Sequence, residues 1–192
     1  MSGPPRSGTD DDPYRLERFV TTQDASGTYQ RALAELRAGR KTSHWMWFIF
    51  PQIAGLGFSQ MAQRYAISGL AEARAYLGHP VLGPRLLECT AAIAAASGST
   101  ADRILGPVDA MKLRSCMTLF AAAAPEGTGF GEVLARYFDG QPDEATLAQL
   151  SGKRLSATLE LDAAPGKYRL RVIAAEHNQG GMTAASQMVD LK

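Results

Sequence analysis

The sequence predicts an all-α fold: a compact multihelical single domain of about eight or nine helices, followed by a short β-rich C-terminal appendage. Three observations predict this division. Apolar residues recur at helical spacing between residues 13 and 150, and no segment there alternates like a strand. From residue 153 onward, apolar residues occur at every second position, which is typical of strands. The composition, 45% hydrophobic and 20% charged, is that of an ordinary globular protein.

The predicted organisation has three parts. Residues 1–12 are rich in Gly, Pro, Ser and Asp, so we expect a disordered N-terminal tail. Residues 13–150 form the multihelical domain. Residues 153–192 form a hairpin or three-strand extension, because "LSATLELD" and "KYRLRVIA" alternate on either side of "APGK" and "TAASQMVDL" supplies a third strand. So small a sheet is only marginally able to stabilise itself, and its exposed edge could pair with another chain.

The helices of the domain are punctuated by residues that start and stop helices. Pro13 suits a first turn, and Leu16, Phe19 and Val20 follow as one apolar stripe. A second helix is expected between Ser26 and Gly39. Beyond the aromatic segment described next, helical spacing predicts helices over 59–67, 68–80, 80–96, 99–106, 107–125, 129–140 and 142–150.

The segment "KTSHWMWFIFPQ", residues 41–52, is the most apolar part of the chain's first half. We expect a short helix from His44 to about Phe50, capped by Thr42 or Ser43 and stopped by Pro51. Such a helix is apolar on nearly every side and should be buried. A buried strand fits the composition about as well, and helical neighbours favour the helix. The apolar run is far shorter than the roughly 20 residues that a bilayer span needs.

Charge and cysteine content limit the possible partners. The formal charge is only +1, which argues against a nucleic-acid or anionic-membrane partner. Cys89 and Cys116 lie in apolar helical runs and are expected to be buried, and no Cys and His spacing predicts a metal site or another cofactor. The N-terminus lacks the apolar stretch of a signal peptide, so we expect a cytoplasmic protein.

Several long phrases carry a family resemblance. "LAELRAGRKTSHWMWFIFPQIAGLG", "QRYAISGLAEARAYLGHPVLGPRLLECT" and "DAMKLRSCMTLFAAAAP" resemble the bacterial family known as domain of unknown function 1810, over about residues 13–150. The resemblance implies a compact multihelical fold and carries no established activity. Members often bear the label "calpastatin", but calpain inhibitors are long, disordered and repetitive, and this domain is none of these. The tail, through "PGKYRLRV", is similar to the last strands of an immunoglobulin-like sandwich.

A cluster of basic residues precedes the aromatic segment and predicts an anion site. A capped helix start offers free N–H groups and partial positive charge, which nearby cations reinforce. The expected ligand is a phosphorylated or carboxylated small molecule, including a nucleotide. The candidate ligand-binding residues are Arg40, Lys41, His44, Trp47, Gln52, Gln60, Arg64, Tyr65, Lys112 and Ser115.

A purely structural interpretation of the same residues stays open. The basic run from Arg37 to Lys41 would then be a solvated helix end, and cations are favourable there beside the helix dipole. The tryptophans would serve the core alone, because aromatic side chains dominate core burial.

Catalysis has no signature in this sequence. The Walker loop, the GxGxxG turn, the HExxH helix and the serine elbow are all missing from the residues. His44 is the candidate general acid or base, with Glu88, Asp102 or Asp109 as its partner. Two functions therefore remain: a binding or interaction module, or a hydrolase or transferase acting on a phosphorylated or nucleotide-derived molecule. A concave site that gathers His44, a carboxylate and two cations would favour the enzyme.

Overall fold

The computed structural model describes residues 12–96, 98–125 and 127–151, and the backbone of residues 166–175 and 182–191. The chain divides into two units, 1–153 and 154–192, which are described separately. In the first unit the helices are α1 (Glu17–Asp24), α2 (Thr28–Arg37), α3 (Met46–Ile49), α4 (Gln60–Arg64), α5 (Leu70–Gly78), α6 (Leu82–Ala95), α7 (Ala101–Leu105), α8 (Pro107–Ala123), α9 (Phe130–Phe138) and α10 (Glu144–Leu150), and a 3-10 turn, Ala25–Gly27, joins α1 to α2. The prediction of a multihelical domain is confirmed.

Helix α8 is the centre of this domain. It packs against α5, α7, α9 and α10. Side chains from all round the helix are buried, so α8 has the character of a core helix rather than an amphipathic surface helix. Its fully buried side chains include Leu113, Cys116, Met117, Leu119 and Phe120.

A row of aromatic rings crosses the core through four helices. Phe19 of α1 meets Tyr76 of α5 edge to face, with ring centroids 5.1 Å apart. Tyr76 meets Phe120 of α8 at 5.5 Å, and Phe120 meets Phe130 of α9 at 5.8 Å. Tilted and edge-to-face pairs at these distances are favourable beyond the area they bury. The row therefore joins helices that are far apart in the sequence.

The junction of α5 and α6 depends on one glycine. A Cβ atom at Gly83 would lie 2.0 Å from the carbonyl oxygen of Leu77, so no other residue fits without moving the backbone. The lack of a side chain lets the first turn of α6 sit directly on the end of α5.

The aromatic segment is a buried helix, as predicted, but α3 is shorter than expected. It runs only from Met46 to Ile49, and its N-cap, Trp45, makes no side-chain capping bond. The expected cap at Thr42 or Ser43 is wrong, because both side chains donate hydrogen bonds to Glu35 instead. The alternative of a strand through Trp45 and Phe50 is excluded by the helix.

Two strands are described in the second unit. β1 (Gly166–Ala175) and β2 (Met182–Leu191) are antiparallel, with Gly166 opposite Leu191 and Ala175 opposite Met182. The strand expected over 155–162, the first half of the "APGK" turn, and residues 1–11 of the expected tail lie outside the described residues. The hairpin or three-strand extension stays a prediction.

None of the helices that the structure describes has the length and apolar character that a membrane crossing requires.

Candidate functional site

The loop before α3 is organised around the carboxylate of Glu35, a buried residue of α2. Its oxygens accept hydrogen bonds from the backbone N–H groups of Thr42 and Ser43 at 2.8 and 3.1 Å. They also accept from the two hydroxyls, at 2.8 and 2.6 Å, and from the indole Nε1 of Trp45 at 2.8 Å. Five donors therefore meet one carboxylate, and the segment folds back onto α2.

These bonds determine the charge of Glu35. Burial would raise its pKa, but the hydrogen bonds from Ser43, Thr42 and Trp45 outweigh burial and lower the pKa to about 2. Glu35 is therefore ionised at neutral pH. The backbone N–H groups of Thr42 and Ser43, which were predicted to bind an external anion, bind the protein's own carboxylate instead. Helix α3 has only four residues and is too short to form an anion site at its N-terminus.

A partly buried carboxylate, that of Asp109, lies close to three of the predicted site residues, Lys41, Trp47 and Lys112. Asp109 of α8 accepts from Nζ of Lys41 at 2.8 Å and from Nζ of Lys112 at 2.9 Å. The Lys41 ammonium lies 5.3 Å from the ring of Trp45, and the Lys112 ammonium lies 4.6 Å from the ring of Trp47. Each lysine thus combines an ion pair with a cation–π contact.

The lysine and aspartate cluster has the character of a clamp. The three charged side chains are only 10%, 16% and 17% exposed for Lys41, Asp109 and Lys112. Burial would raise the pKa of Asp109, but the hydrogen bonds and charges of both lysines lower it. The backbone N–H of Lys41 also bonds the carbonyl of Ile104 at 2.7 Å. Together these bonds fix the aromatic segment against α7 and α8.

Two basic residues of the predicted anion site, Arg40 and His44, do not join this cluster. Arg40 and His44 are both exposed, and neither side chain has a hydrogen bond or ion pair with any residue that the structure describes. The carboxylate with two cations forms without a histidine, so the arrangement that would have favoured an enzyme is not found among the described residues.

Three further candidates lie in structural or solvent-facing positions. The hydroxyl of Ser115 is buried and lies 2.8 Å from that of Thr146, which joins α8 to α10. The phenol of Tyr65 lies 2.7 Å from the hydroxyl of Thr22, which joins the end of α4 to α1. Gln60 is exposed at the start of α4.

A separate concave surface, the arginine cleft, is lined by residues of α1, of α4 and of the segments next to α4. Its first part is a cavity of about 320 Å³. Its second part is a cavity of about 220 Å³ that shares Ala54, Gln63 and Ala66 with the first. The first part is lined by Pro13, Tyr14, Arg15, Arg18, Ala54, Gln63, Arg64, Ala66, Ser68 and Glu72. The second is lined by Gln52, Ile53, Ala54, Gly55, Gly57, Ala62, Gln63 and Ala66.

Arg18 holds the walls of the arginine cleft in place. Its guanidinium donates to the carbonyl of Arg64 at 3.0 Å, to that of Ala66 at 2.9 Å and to that of Arg15 at 2.9 Å. It also pairs with the carboxylate of Glu72 at 2.6 Å, whose other oxygen accepts from the N–H of Ser68 at 2.8 Å. The donors of Arg18 are thus used within the protein.

The floor of the arginine cleft is a short parallel bridge between Ile53 and Ile67. The N–H of Ala54 bonds the carbonyl of Ile67, and the N–H of Ile67 bonds the carbonyl of Gln52, both at 2.8 Å. A Cβ atom at Gly57 would lie 2.5 Å from the Cβ of Ala62, so the loop approaches α4 as closely as a glycine allows. The cleft is therefore built by backbone as much as by side chains.

Two cations of the arginine cleft remain available. Arg15 and Arg64 are exposed, and neither pairs with a carboxylate among the residues that the structure describes. The guanidinium of Arg64 lies 5.4 Å from the ring of Tyr65. Arg15 has a left-handed backbone, with φ of 52°. Of the candidates predicted from sequence, Gln52 and Arg64 line the cleft, whereas Arg15, Arg18 and Gln63 were missed.

The family is decided by a match over most of the chain. A family model described as "Protein of unknown function (DUF1810)" matches residues 13–150. This chain belongs to the DUF1810 family. The resemblance found in the sequence is confirmed for the helical domain. Both the arginine cleft and the lysine and aspartate cluster lie within the DUF1810 segment.

A solved structure supports the same fold. The chain is similar to the crystal structure of the conserved hypothetical protein Rv1873 from Mycobacterium tuberculosis, with 50% sequence identity and a TM-score of 0.70. The match covers 73% of this chain and 99% of that chain. A search of curated proteins finds none that matches. DUF1810 carries no assigned activity, so function is argued from the geometry of the site.

Proposed function

We propose that this DUF1810 protein is a binding module for a small anionic molecule and that the arginine cleft is its binding site. The single observation that carries this proposal is the charge of the cleft. Three guanidinium groups, those of Arg15, Arg18 and Arg64, line it against the one carboxylate of Glu72. Because Glu72 is paired with Arg18, the positive charges of Arg15 and Arg64 are not neutralised within the cleft lining.

Arginine is well suited to the proposed ligand class. Its planar guanidinium offers N–H pairs that match the oxygens of a phosphate or a carboxylate. The cleft would present those donors on a fixed frame, because Arg18 ties together the backbone of Arg15, Arg64 and Ala66. A preformed frame lowers the ordering cost of binding. The ligand class is therefore a phosphorylated or carboxylated small molecule.

A binding module is favoured over a hydrolase or transferase. The nearest carboxylate, Glu72, is held by Arg18 and by the N–H of Ser68, so it has no free role as a general base. His44, the candidate acid or base, does not line this cleft. Neither Glu72 nor His44 therefore supplies a general acid or base for a step in the arginine cleft.

Titration with inorganic pyrophosphate, followed by the backbone amide signals in two-dimensional NMR, tests the proposal. We expect saturable shifts for Ala54, Ala66 and Ser68. Arg64→Gln should abolish them, and so should Arg15→Asn, which removes the charge while tolerating a left-handed backbone. Arg74→Gln, an exposed change on α5 with the same loss of charge, should leave them intact. Equal weakening by Arg74→Gln would show nonspecific attraction and overturn the proposal.

The anion site predicted from the sequence is the competing location for the ligand. If Arg40→Gln, and not Arg64→Gln, abolished pyrophosphate binding, the ligand would lie beside Arg40, Lys41 and His44. That outcome would overturn the assignment to the arginine cleft.

We retain a cytoplasmic location and pairing of the C-terminal strands with another chain as proposals. An immunoglobulin-like origin of the tail is kept in the same way, and calpain inhibition is not proposed, since a compact helical domain does not fit that mechanism.

A further inference from the structure

The second part of the arginine cleft differs in chemistry from the first. Apart from two glutamines, its lining residues are the small or apolar Ile53, Ala54, Gly55, Gly57, Ala62 and Ala66, and none of the charged residues that the structure describes lines it. Its volume is about 220 Å³. An apolar cavity of about 150 Å³ holds a benzene molecule, so this part can receive a planar ring. The two parts share Ala54, Gln63 and Ala66, so they adjoin one another.

Two carboxamides supply hydrogen bonds at this end. The side chain of Gln52 is half-buried and has no hydrogen bond to any residue that the structure describes. Gln63 lines both parts, and its Nε2 donates to the carbonyl of Phe58 at 3.2 Å, which fixes the side chain. A glutamine carboxamide presents a donor and an acceptor side by side, a pattern that complements the edge of a nucleobase.

Phe58, an exposed aromatic residue, is the sequence neighbour of a residue that lines the same cavity. Phe58 is 55% exposed, the largest exposed fraction among the large hydrophobic residues described. It directly follows Gly57, which lines the cavity, and its carbonyl is bonded by Gln63, which does so too. Aromatic side chains of nucleic-acid binding proteins hold bases by stacking on them. An exposed phenylalanine at this position offers such a face.

We infer that the arginine cleft binds a nucleoside monophosphate, with the phosphate at Arg15 and Arg64 and the base at Gln52 and Gln63 against Phe58. The inference rests on the proposed function for the phosphate end and adds a second, base-binding end. The base would bond to the Gln52 carboxamide, and its ring would stack on Phe58. The phosphate end would provide attraction for any phosphate ester, and the other end would provide selectivity.

Isothermal titration of the full chain with ribose 5-phosphate, uridine 5′-monophosphate and adenosine 5′-monophosphate tests the two ends separately. We expect at least one nucleotide to bind at least tenfold more tightly than ribose 5-phosphate, about 1.4 kcal/mol. Phe58→Ser and Gln52→Ala should each reduce that ratio towards one while leaving the affinity for ribose 5-phosphate unchanged. Gln60→Ala, an exposed change on α4 outside both cavities, should preserve the ratio.

The possible outcomes distinguish failure of the base-binding end from failure of the anion site. If ribose 5-phosphate binds as tightly as both nucleotides, or if the ratio survives in both variants, the base-binding end is refuted and the anion site stands. If no phosphate ester binds, both fall. Retained far-ultraviolet circular dichroism and an unchanged Tm would show that Phe58→Ser and Gln52→Ala act on binding and not on folding.

Discussion

The indole Nε1 of Trp45 donates a 2.8 Å hydrogen bond to the carboxylate of Glu35, ten residues earlier in the chain. Both groups are buried, and the same carboxylate receives four more bonds from Thr42 and Ser43. A buried ion without partners would destabilise the fold strongly, but here every neighbouring donor points at it. The Glu35 carboxylate therefore holds the loop before α3 against α2.

Replacing that charge tests its contribution to stability. Glu35→Gln keeps the shape but turns the acceptor carboxylate into an amide that directs an NH₂ group at some of the five donors. We expect the free energy of unfolding to fall by about 2–3 kcal/mol, because hydrogen bonds to charged groups are stronger than those to neutral ones. Urea unfolding followed by tryptophan fluorescence measures the change.

The matched control for Glu35→Gln is Glu132→Gln on α9, where the side chain is exposed. That change should alter stability by less than about 0.5 kcal/mol, as surface substitutions usually do. Equal effects of the two variants would show that Glu35 has no special structural role.

The ionisation of Glu35 should make the free energy of unfolding depend on pH in the acid range. Its pKa in the folded protein, about 2, is lower than its ordinary value of 4.5. Between these two values the unfolded chain binds more protons than the folded one, so acid favours unfolding. The stabilisation from Glu35 is fully present above about pH 4.5 and is lost as the pH falls towards 2.

Urea titrations at a series of pH values measure this loss. Wild type should be more stable than Glu35→Gln at pH 7, by on the order of 3 kcal/mol at most. That difference should shrink steadily below about pH 4.5. A difference that stays constant down to pH 3 would contradict the assigned pKa. Asp109, whose pKa is also lowered, contributes a background loss in the same direction and is present in both proteins.

The lysine and aspartate cluster gives a prediction about clamping. Asp109→Asn leaves two half-buried ammonium groups without their shared counter-ion, so we expect a loss of about 2–3 kcal/mol in the free energy of unfolding. Asp102→Asn, on the exposed face of α7, is the control and should have little effect. A triple variant, Lys41→Met with Asp109→Leu and Lys112→Met, should recover most of the loss, since apolar groups of similar size often replace buried ion pairs. Failure of the triple variant to recover stability would mean that the charges do more than hold the segment.

How much the sequence could predict differs between the fold and the site. The helices followed from local spacing, and the burial of Trp45 and Phe50 followed from their apolar neighbours. The site did not follow, because its geometry is set by long-range contacts. Arg18 meets Glu72 across 54 residues, and Lys41 meets Asp109 across 68. No local sequence pattern predicts ion pairs between residues so far apart in the chain.

The anion site expected at the start of the aromatic segment shows the same limitation. The N–H groups of Thr42 and Ser43 bind a carboxylate of the protein itself, whereas the sequence predicted an external anion. The carboxylate belongs to Glu35, whose contact with the loop is not predicted by the local pattern of α2, where Arg31 and Arg37 are the other charged residues. Arg15 and Arg64 likewise meet in one cleft although 49 residues separate them.

The last prediction concerns the segment beyond the DUF1810 domain. The family match ends at residue 150, and the solved relative aligns over 99% of its own chain while covering only 73% of this one. A protein of similar sequence thus folds without a counterpart of the remainder. We expect a chain ending at Ser151 to keep its helical circular dichroism and its cooperative unfolding. Its Tm should fall by less than about 5 °C, which corresponds to roughly 1–2 kcal/mol at this size.

Differential scanning calorimetry of the full and shortened chains measures the shift. The shortened chain also tests whether the proposed anion binding requires the C-terminal segment. Because every described residue that lines the arginine cleft precedes residue 73, pyrophosphate binding should survive the truncation. A fall in Tm well beyond 5 °C, or loss of binding in a chain that remains folded, would mean that residues 152–192 are integral to the helical domain or to its site.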